Sequence, residues 1–181
     1  FSTISQVSYV ILGVSLFGPF GTIGALAHLL HQGLMKVTLF FCAGNYAEEL
    51  GIHRINEMDG AGKRMPLTSL AFTVGALGMI GLPPIAGFIT KWYLGIVAIQ
   101  AEMYWVVAVL VASSTLNAIY FLPILHRLWF RQGPDHGVGA WPNEQRLGRL
   151  ETHGWLLWPA VFTALASLGA GLLAGLPFSP L

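Results

Sequence analysis

The sequence predicts an all-α membrane protein, a polytopic helical bundle of five to six transmembrane segments with one broken helix. Three observations carry that expectation. Only 9% of the 181 residues are charged (nine Lys and Arg, eight Asp and Glu), against roughly 25% in a soluble domain. The chain is 55% hydrophobic with mean hydropathy +0.66. Its apolar residues fall in helix-length runs separated by polar or Gly/Pro-rich stretches. So few charges cannot coat a water-facing surface, which excludes a disordered chain, a basic nucleic-acid binder and a charged coiled coil.

The runs follow in order. Residues 1–16 are apolar apart from Ser, Thr and Gln6, and Gly18-Pro19-Phe20-Gly21 reads as a turn. A second run covers 22–46. A polar stretch then carries Glu48, Glu49, His53, Arg54, Glu57, Asp59, Lys63 and Arg64. Pro66 is placed to open the next helix, to residue 82, because proline suits a first helical position. Pro83-Pro84 interrupts it, and another run spans 87–101, with Glu102 at its boundary. Residues 104–130 form a long run with Pro123 as an expected kink. A polar, Gly/Pro-rich segment precedes the last apolar run, 155–176.

A bilayer core of about 30 Å needs roughly 20 helical residues. The runs at 22–46, 104–130 and 155–176 meet that length alone. Those at 66–82 and 87–101 are short and joined through the prolines. They form either one span with unwound backbone at membrane depth, tolerated only where protein or water satisfies it, or two short helices with a surface turn. Trp105, Trp129, Trp155 and Trp158 read as interfacial anchors, and loop Lys/Arg counts of three and four leave orientation open. The opening Phe1-Ser2-Thr3-Ile4 does not read as a signal peptide, and the chain reads as the C-terminal piece of a longer one. Cys42 stands alone, so no internal disulfide is expected.

Ionisable groups inside the apolar runs point to function. Lys36 lies near the middle of the second run, where a charged Lys costs about 2.5–3.5 kcal/mol and usually faces a bundle interior or a water-filled cavity. His28, Gln32 and Lys36 recur every four residues and drift only ~40° per step around a helix, with His31 close by. They make a polar stripe spanning about 12 Å of rise. Histidine ionises near neutrality and glutamine can hold water, so the stripe suits a proton relay. It equally suits helices glued by buried polar groups. His28 and His31 could share a metal, but no carboxylate or Cys stands within reach of them along the helix to complete a site. Lys91 lies seven residues beyond Pro84, either poised beside unwound backbone or snorkelling beside Trp92 and Tyr93. Ser2, Thr3, Ser5 and Gln6 either line a polar path or form an interfacial turn. Gly171 and Gly175 make a GxxxG pattern for close helix packing. Asp135, His136 and His153 read as solvated. No Walker loop, dinucleotide fingerprint, CxxC pair or nucleophile elbow is present.

The order of these features resembles a family, the antiporter-like, proton-conducting membrane subunits of respiratory complex I, Mrp-type cation/proton antiporters and membrane-bound hydrogenases. The resemblance rests on Phe1-Ser2-Thr3-Ile4-Ser5-Gln6, the segment 28–44 with Lys36 followed by Leu39-Phe40, Met65-Pro66-Leu67, and the run from Gly81-Leu82-Pro83-Pro84 through Gly87-Phe88-Ile89-Thr90-Lys91. It implies the second of two inverted five-helix repeats, with a broken helix at Pro83, Pro84 and Gly87 as hinge. It implies a proton path through Lys36, Lys91 and His28, with His31 and Gln32 beside it. Many relatives carry His where Gln32 stands. The resemblance places the other half-channel upstream of Phe1.

Three segments are expected: 1–131 as the proton-translocating helices, 132–154 as a polar loop, and 155–181 as a C-terminal transmembrane helix. The expected function is proton translocation, with exchange for Na⁺ left open, by a subunit of a multisubunit respiratory or antiporter complex in a bacterial cytoplasmic membrane. Such a subunit, of the NADH:quinone oxidoreductase type among others, breaks no covalent bond itself and needs no cofactor or metal. Its expected partners are lipid, other membrane subunits, H⁺ and Na⁺, not nucleic acid. The rivals are a structural subunit whose buried Lys and His only pin helices, and a secondary transporter of an organic ion.

Overall fold

The computed structural model describes residues 2–15, 19–131, 141 and 151–173. These build helices α1 (Ser2–Ser15), α2 (Pro19–Leu50), α3 (Ala61–Arg64), α4 (Pro66–Ile80), α5 (Ala86–Gln100), α6 (Tyr104–Phe130) and α7 (Gly154–Leu173), with a 3₁₀ turn at Ile55–Glu57. There is no strand among the described residues. Gly18, Asp135, His136, Gly175 and most of the segment 132–154 lie outside them, as do the side chains of Ser2 and Pro19.

Among the described residues, three stretches are long and apolar enough to cross a membrane: Gly21–Leu50, Tyr104–Phe130 and Gly154–Leu172. Large apolar side chains such as Ile4, Ile11, Phe40, Leu116, Ile119 and Phe162 point outward on α1, α2, α6 and α7. That surface suits lipid rather than water. The protein is an integral membrane protein.

α2 is longer than the apolar run that predicts it. Its turn-like Pro19 instead begins the helix, and Glu48 and Glu49 continue it to Leu50. The Glu49 carboxylate is tolerated there because Thr152 donates its hydroxyl at 2.8 Å and the His153 N–H reaches it at 3.3 Å. Gly51, at φ 69°, ends the helix. The helix α6 continues through Pro123 to Phe130.

The pairing along α2 fixes the depth of α4 and α5. Tyr46 Oη meets Ser69 Oγ at 2.6 Å near the start of α4. Further along, Gly75 lies on Leu39 and Gly78 on Met35. Beyond the turn, Gly87 also touches Met35, His28 meets Thr90, and Gly24 lies beside Leu94. As α2 numbers fall, α4 and then α5 numbers rise. The two short helices therefore run end to end, antiparallel to α2, as one discontinuous span. Each has 15 residues, or about 22 Å of rise, so neither crosses the bilayer alone. Their break, residues 81–85 with a cis Pro83–Pro84 bond, lies at the level of Met35. This is unwound backbone at membrane depth, not a surface turn.

Neighbouring helices close on that break. α7 runs antiparallel to α2, with Asn45 Nδ2 donating to the Leu156 carbonyl (3.1 Å) and Thr38 Oγ1 to Thr163 Oγ1 (2.8 Å). It brings Gly171 against the Pro84 carbonyl and the Ala86 N–H so closely that a Cβ there would collide with backbone. Gly87 lies equally close to the Gly78 carbonyl.

The start of α4 is anchored from far away in sequence. Pro66 opens it as expected, and the Glu151 carboxylate accepts from the Leu67 and Thr68 N–H groups and, at 3.0 Å, from the Thr68 hydroxyl. A carboxylate there satisfies donors that the helix leaves free and lies at the positive end of its dipole. Outside the spans, Asp59 pairs with Arg127 (3.4 Å) and Arg131 (3.3 Å), tying the segment after α2 to the end of α6. Glu57 accepts the His53 and Arg54 N–H groups at 3.0 and 3.1 Å. Those two bonds hold its carboxyl below the usual range. Trp105, Trp155 and Trp158 are exposed, as interfacial anchors should be. Trp129 is not: it turns inward and donates Nε1–H to Thr73 Oγ1 at 2.9 Å.

Two apolar clusters result among the described residues. One joins Met35, Cys42, Tyr46, Met65 and Met79 with α6 and α7; the other joins Tyr9, Leu94, Val97, Val106 and Leu110. Between them lies a belt of buried polar side chains.

Candidate functional site

That belt is assembled by three helices around His28. The imidazole is fully buried. Its Nδ1 lies 2.8 Å from Thr90 Oγ1 on α5, and its Nε2 lies 3.1 Å from Gln6 Oε1 on α1. Tyr9, one turn beyond Gln6, packs edge-on against the ring with centroids 5.3 Å apart.

Lys91 points back from α5 across the break. Its ammonium donates to the Met79 and Ile80 carbonyls at 3.2 and 3.0 Å, and to Ser114 Oγ at 3.2 Å. It also lies 5.4 Å from the centroid of the Tyr9 ring, within cation–π range. The interruption creates this seat. A helix end leaves its last carbonyls without intrahelical partners and carries partial negative charge. Gly81, at φ 91°, turns the chain so that its own N–H and that of Leu82 take the Leu77 carbonyl, leaving those of Met79 and Ile80 to the ammonium. A side chain at Gly81 would also meet Lys91, since a Cβ there would lie 3.2 Å from Nζ. Lys91 does not snorkel. It is 9% exposed, while its neighbour Trp92 faces outward.

Lys36 occupies a different setting. Its ammonium donates to Thr3 Oγ1 at 2.7 Å. It also lines a cavity of about 320 Å³ that runs past Phe40, Ala43 and Phe121 to His53 and Arg54, beyond the end of α2. The cavity thus joins mid-membrane depth to the polar segment following that helix. Gln32, one turn before Lys36 on α2, is buried. His31 is half-buried, with its ring against the Ala86 backbone and its Nδ1 unpartnered.

Of the residues singled out in the sequence, Pro83 and Pro84 form the break, whereas Gly87 lies just beyond it, in the first turn of α5; Lys91 reaches back across the break and His28 bonds Thr90 on α5. Thr90, Ser114 and Tyr9 were missed. Ser113-Ser114-Thr115 is a polar triplet inside an apolar run, a signal as clear as that of His28. Of the N-terminal polar residues, Thr3 and Gln6 reach Lys36 and His28, and Ser5 meets Ser113 at 3.3 Å.

An integral membrane protein, helical throughout its described spans and with one span broken at mid-depth, is the class that fold and site together define. Residues 1–117 match the family model described as NADH:quinone oxidoreductase/Mrp antiporter, transmembrane, and the chain belongs to that family. It is 38% identical over 175 residues to NADH-quinone oxidoreductase subunit N of Desulforudis audaxviator, covering 95% of this chain and 35% of that protein. Among solved structures it is similar to a chain of the Mrp complex from Dietzia sp. DQ12-45-1b, with TM-score 0.80, 26% identity and coverage of 97% of this chain and 39% of that one. It is also similar to a chain of the membrane-bound sulfane sulfur reductase, an archaeal respiratory membrane complex, with TM-score 0.77, 26% identity and coverage of 96% and 33%. The chain spans about a third to two-fifths of the length of these relatives.

Proposed function

We propose that this chain moves protons across the membrane as part of a larger membrane subunit, using Lys36, His28 and Lys91 as the exchanging groups. One observation carries the reading. Groups able to exchange protons, each with its own hydroxyl or amide partner, are concentrated near the mid-depth break, where buried polarity is most costly. Thr90 extends His28 toward the start of α5, Gln32 lies between His28 and Lys36, and the cavity gives Lys36 room to meet water from the side of His53 and Arg54. Lys91 couples proton occupancy to backbone. Losing its charge would weaken the bonds that hold the end of α4, so each protonation cycle would bias the break between two arrangements.

The relatives' names extend this to partners. They belong to multisubunit membrane complexes, so the full protein would sit among other membrane subunits, in a bacterial cytoplasmic membrane. Their family description covers both quinone oxidoreductases and antiporters, so the test follows both H⁺ and Na⁺. The full-length protein in its complex, in sealed vesicles, should lose its pH gradient on Lys36→Ala or Lys91→Ala while the complex assembles normally. Intact H⁺ and Na⁺ fluxes in both variants would overturn the reading. Loss of assembly in both would favour a purely structural role.

A further inference from the structure

We propose that Gln6 is a positioning residue that holds His28 in the tautomer protonated at Nε2, so that the imidazole exchanges protons only through Nδ1, on the Thr90 side. The importance of this for transport rests on the function proposed above; the tautomer itself does not.

The inference starts from donors and acceptors. In a neutral imidazole one nitrogen donates and the other accepts, and the partner of each decides which. The Gln6 carbonyl oxygen, 3.1 Å from Nε2, can only accept, so Nε2 carries the proton and Nδ1 is the basic nitrogen. Thr90 then donates its hydroxyl to Nδ1. Both lengths, 3.1 and 2.8 Å, are ordinary hydrogen-bond lengths for this arrangement. The opposite tautomer needs Nδ1–H to donate to Thr90, and sends the Thr90 proton to the Gly87 carbonyl at 3.3 Å. That carbonyl lies in the first turn of α5, where the main chain four residues on can already serve it.

Gln6 is suited to hold a proton in place and unsuited to pass one on. It is fully buried, and its Nε2 has no partner. An amide oxygen is a poor base, so a proton on His28 Nε2 is not handed onward through Gln6. Tyr9 from α1 and Lys91 from α5 are the other ionisable groups packed about the ring, with His31 on its own helix. His28 thus works as a one-sided site, charged and discharged from the α5 side, rather than as a wire through the ring. α1 becomes part of the machinery rather than a lipid-facing support.

The test reads the tautomer directly, by ¹⁵N magnetic resonance of histidine-labelled full-length protein in its complex in lipid, with His28 assigned by its loss in His28→Asn. The wild type should show neutral His28 with the proton on Nε2. Gln6→Leu should move a measurable fraction to Nδ1–H, while Thr90→Val should leave the Nε2–H form dominant. A wild-type signal of the Nδ1–H form would overturn the inference. So would a shift caused by Thr90→Val and not by Gln6→Leu. If Gln6→Leu fails to assemble, the wild-type and Thr90→Val spectra still decide. In vesicles, Gln6→Leu should slow proton movement and displace its pH profile while Lys36 and Lys91 are unchanged. Wild-type transport in His28→Asn would remove His28 from the proposed function and leave the tautomer result standing.

Discussion

Lys91 and Lys36 are both ammonium groups near the middle of the membrane, yet their surroundings differ in kind. Lys91 is enclosed: two freed carbonyls, one hydroxyl and an aromatic face surround it. Lys36 is half-buried, held by Thr3 on one side and bordering a cavity on the other. A charge enclosed by fixed dipoles is part of the fold, and moving it disturbs backbone. A charge beside open space can meet water without disturbing anything. Within the proposed function, the difference suits Lys91 to coupling its proton exchange to the backbone and Lys36 to exchange with water.

The sharpest way to break this contrast is to remove each charge in turn and measure stability beside transport. Lys91→Met should abolish transport and also lower the thermal stability of the assembled complex, by about 1–3 kcal/mol, because buried carbonyls lose a charged donor. Lys36→Met should abolish transport with a stability change under about 1 kcal/mol, the usual size for a partly exposed charge. Equal stability losses would erase the distinction.

An effect on stability of similar size is expected from the backbone beside the enclosure. Gly87→Ala should destabilise by about 1–3 kcal/mol, as overpacking does, because its Cβ would press on the Gly78 carbonyl. Thermal melts of the variant complex test this, and a neutral result would mean that the two half-helices slide apart freely. The cavity side is probed chemically. With Cys42 replaced by Ala, Ala43→Cys should react with a small water-borne thiol reagent added on the His53 side, and protection there would close the proposed route. The smallest effect lies outside the membrane, at Glu57. Its carboxyl is held low by two backbone N–H bonds, so its stabilising contribution is full above the ordinary Glu range and fades as pH falls through its lowered value. Glu57→Gln should speed amide exchange at His53 and Arg54 near neutral pH and flatten its acid dependence, with transport unchanged.

Most elements were legible in the sequence because lipid imposes length and apolarity on each span. The runs at 104–130 and around Pro66 to Ile80 match helices almost residue for residue. The end of α2 was misjudged because Glu48 and Glu49 look like loop, and only the packing of α7 shows that Thr152 and His153 satisfy Glu49. Trp129 was misread for the same reason, since its inward partner Thr73 lies 56 residues away.

The candidate site divides along the same line. Sequence alone determined that Lys36, His28 and Lys91 stand in apolar runs, because a charge inside such a run is visible without knowing its neighbours. It also determined that Pro83-Pro84 interrupts a helix, because proline removes a donor wherever it stands. Only tertiary structure decided that the interruption lies at mid-depth, that Lys91 turns back onto the end of α4, and that Gln6 meets His28. These depend on which helix lies beside which, and on the angle at which each side chain leaves it. Neither is encoded in the periodicity of a single helix.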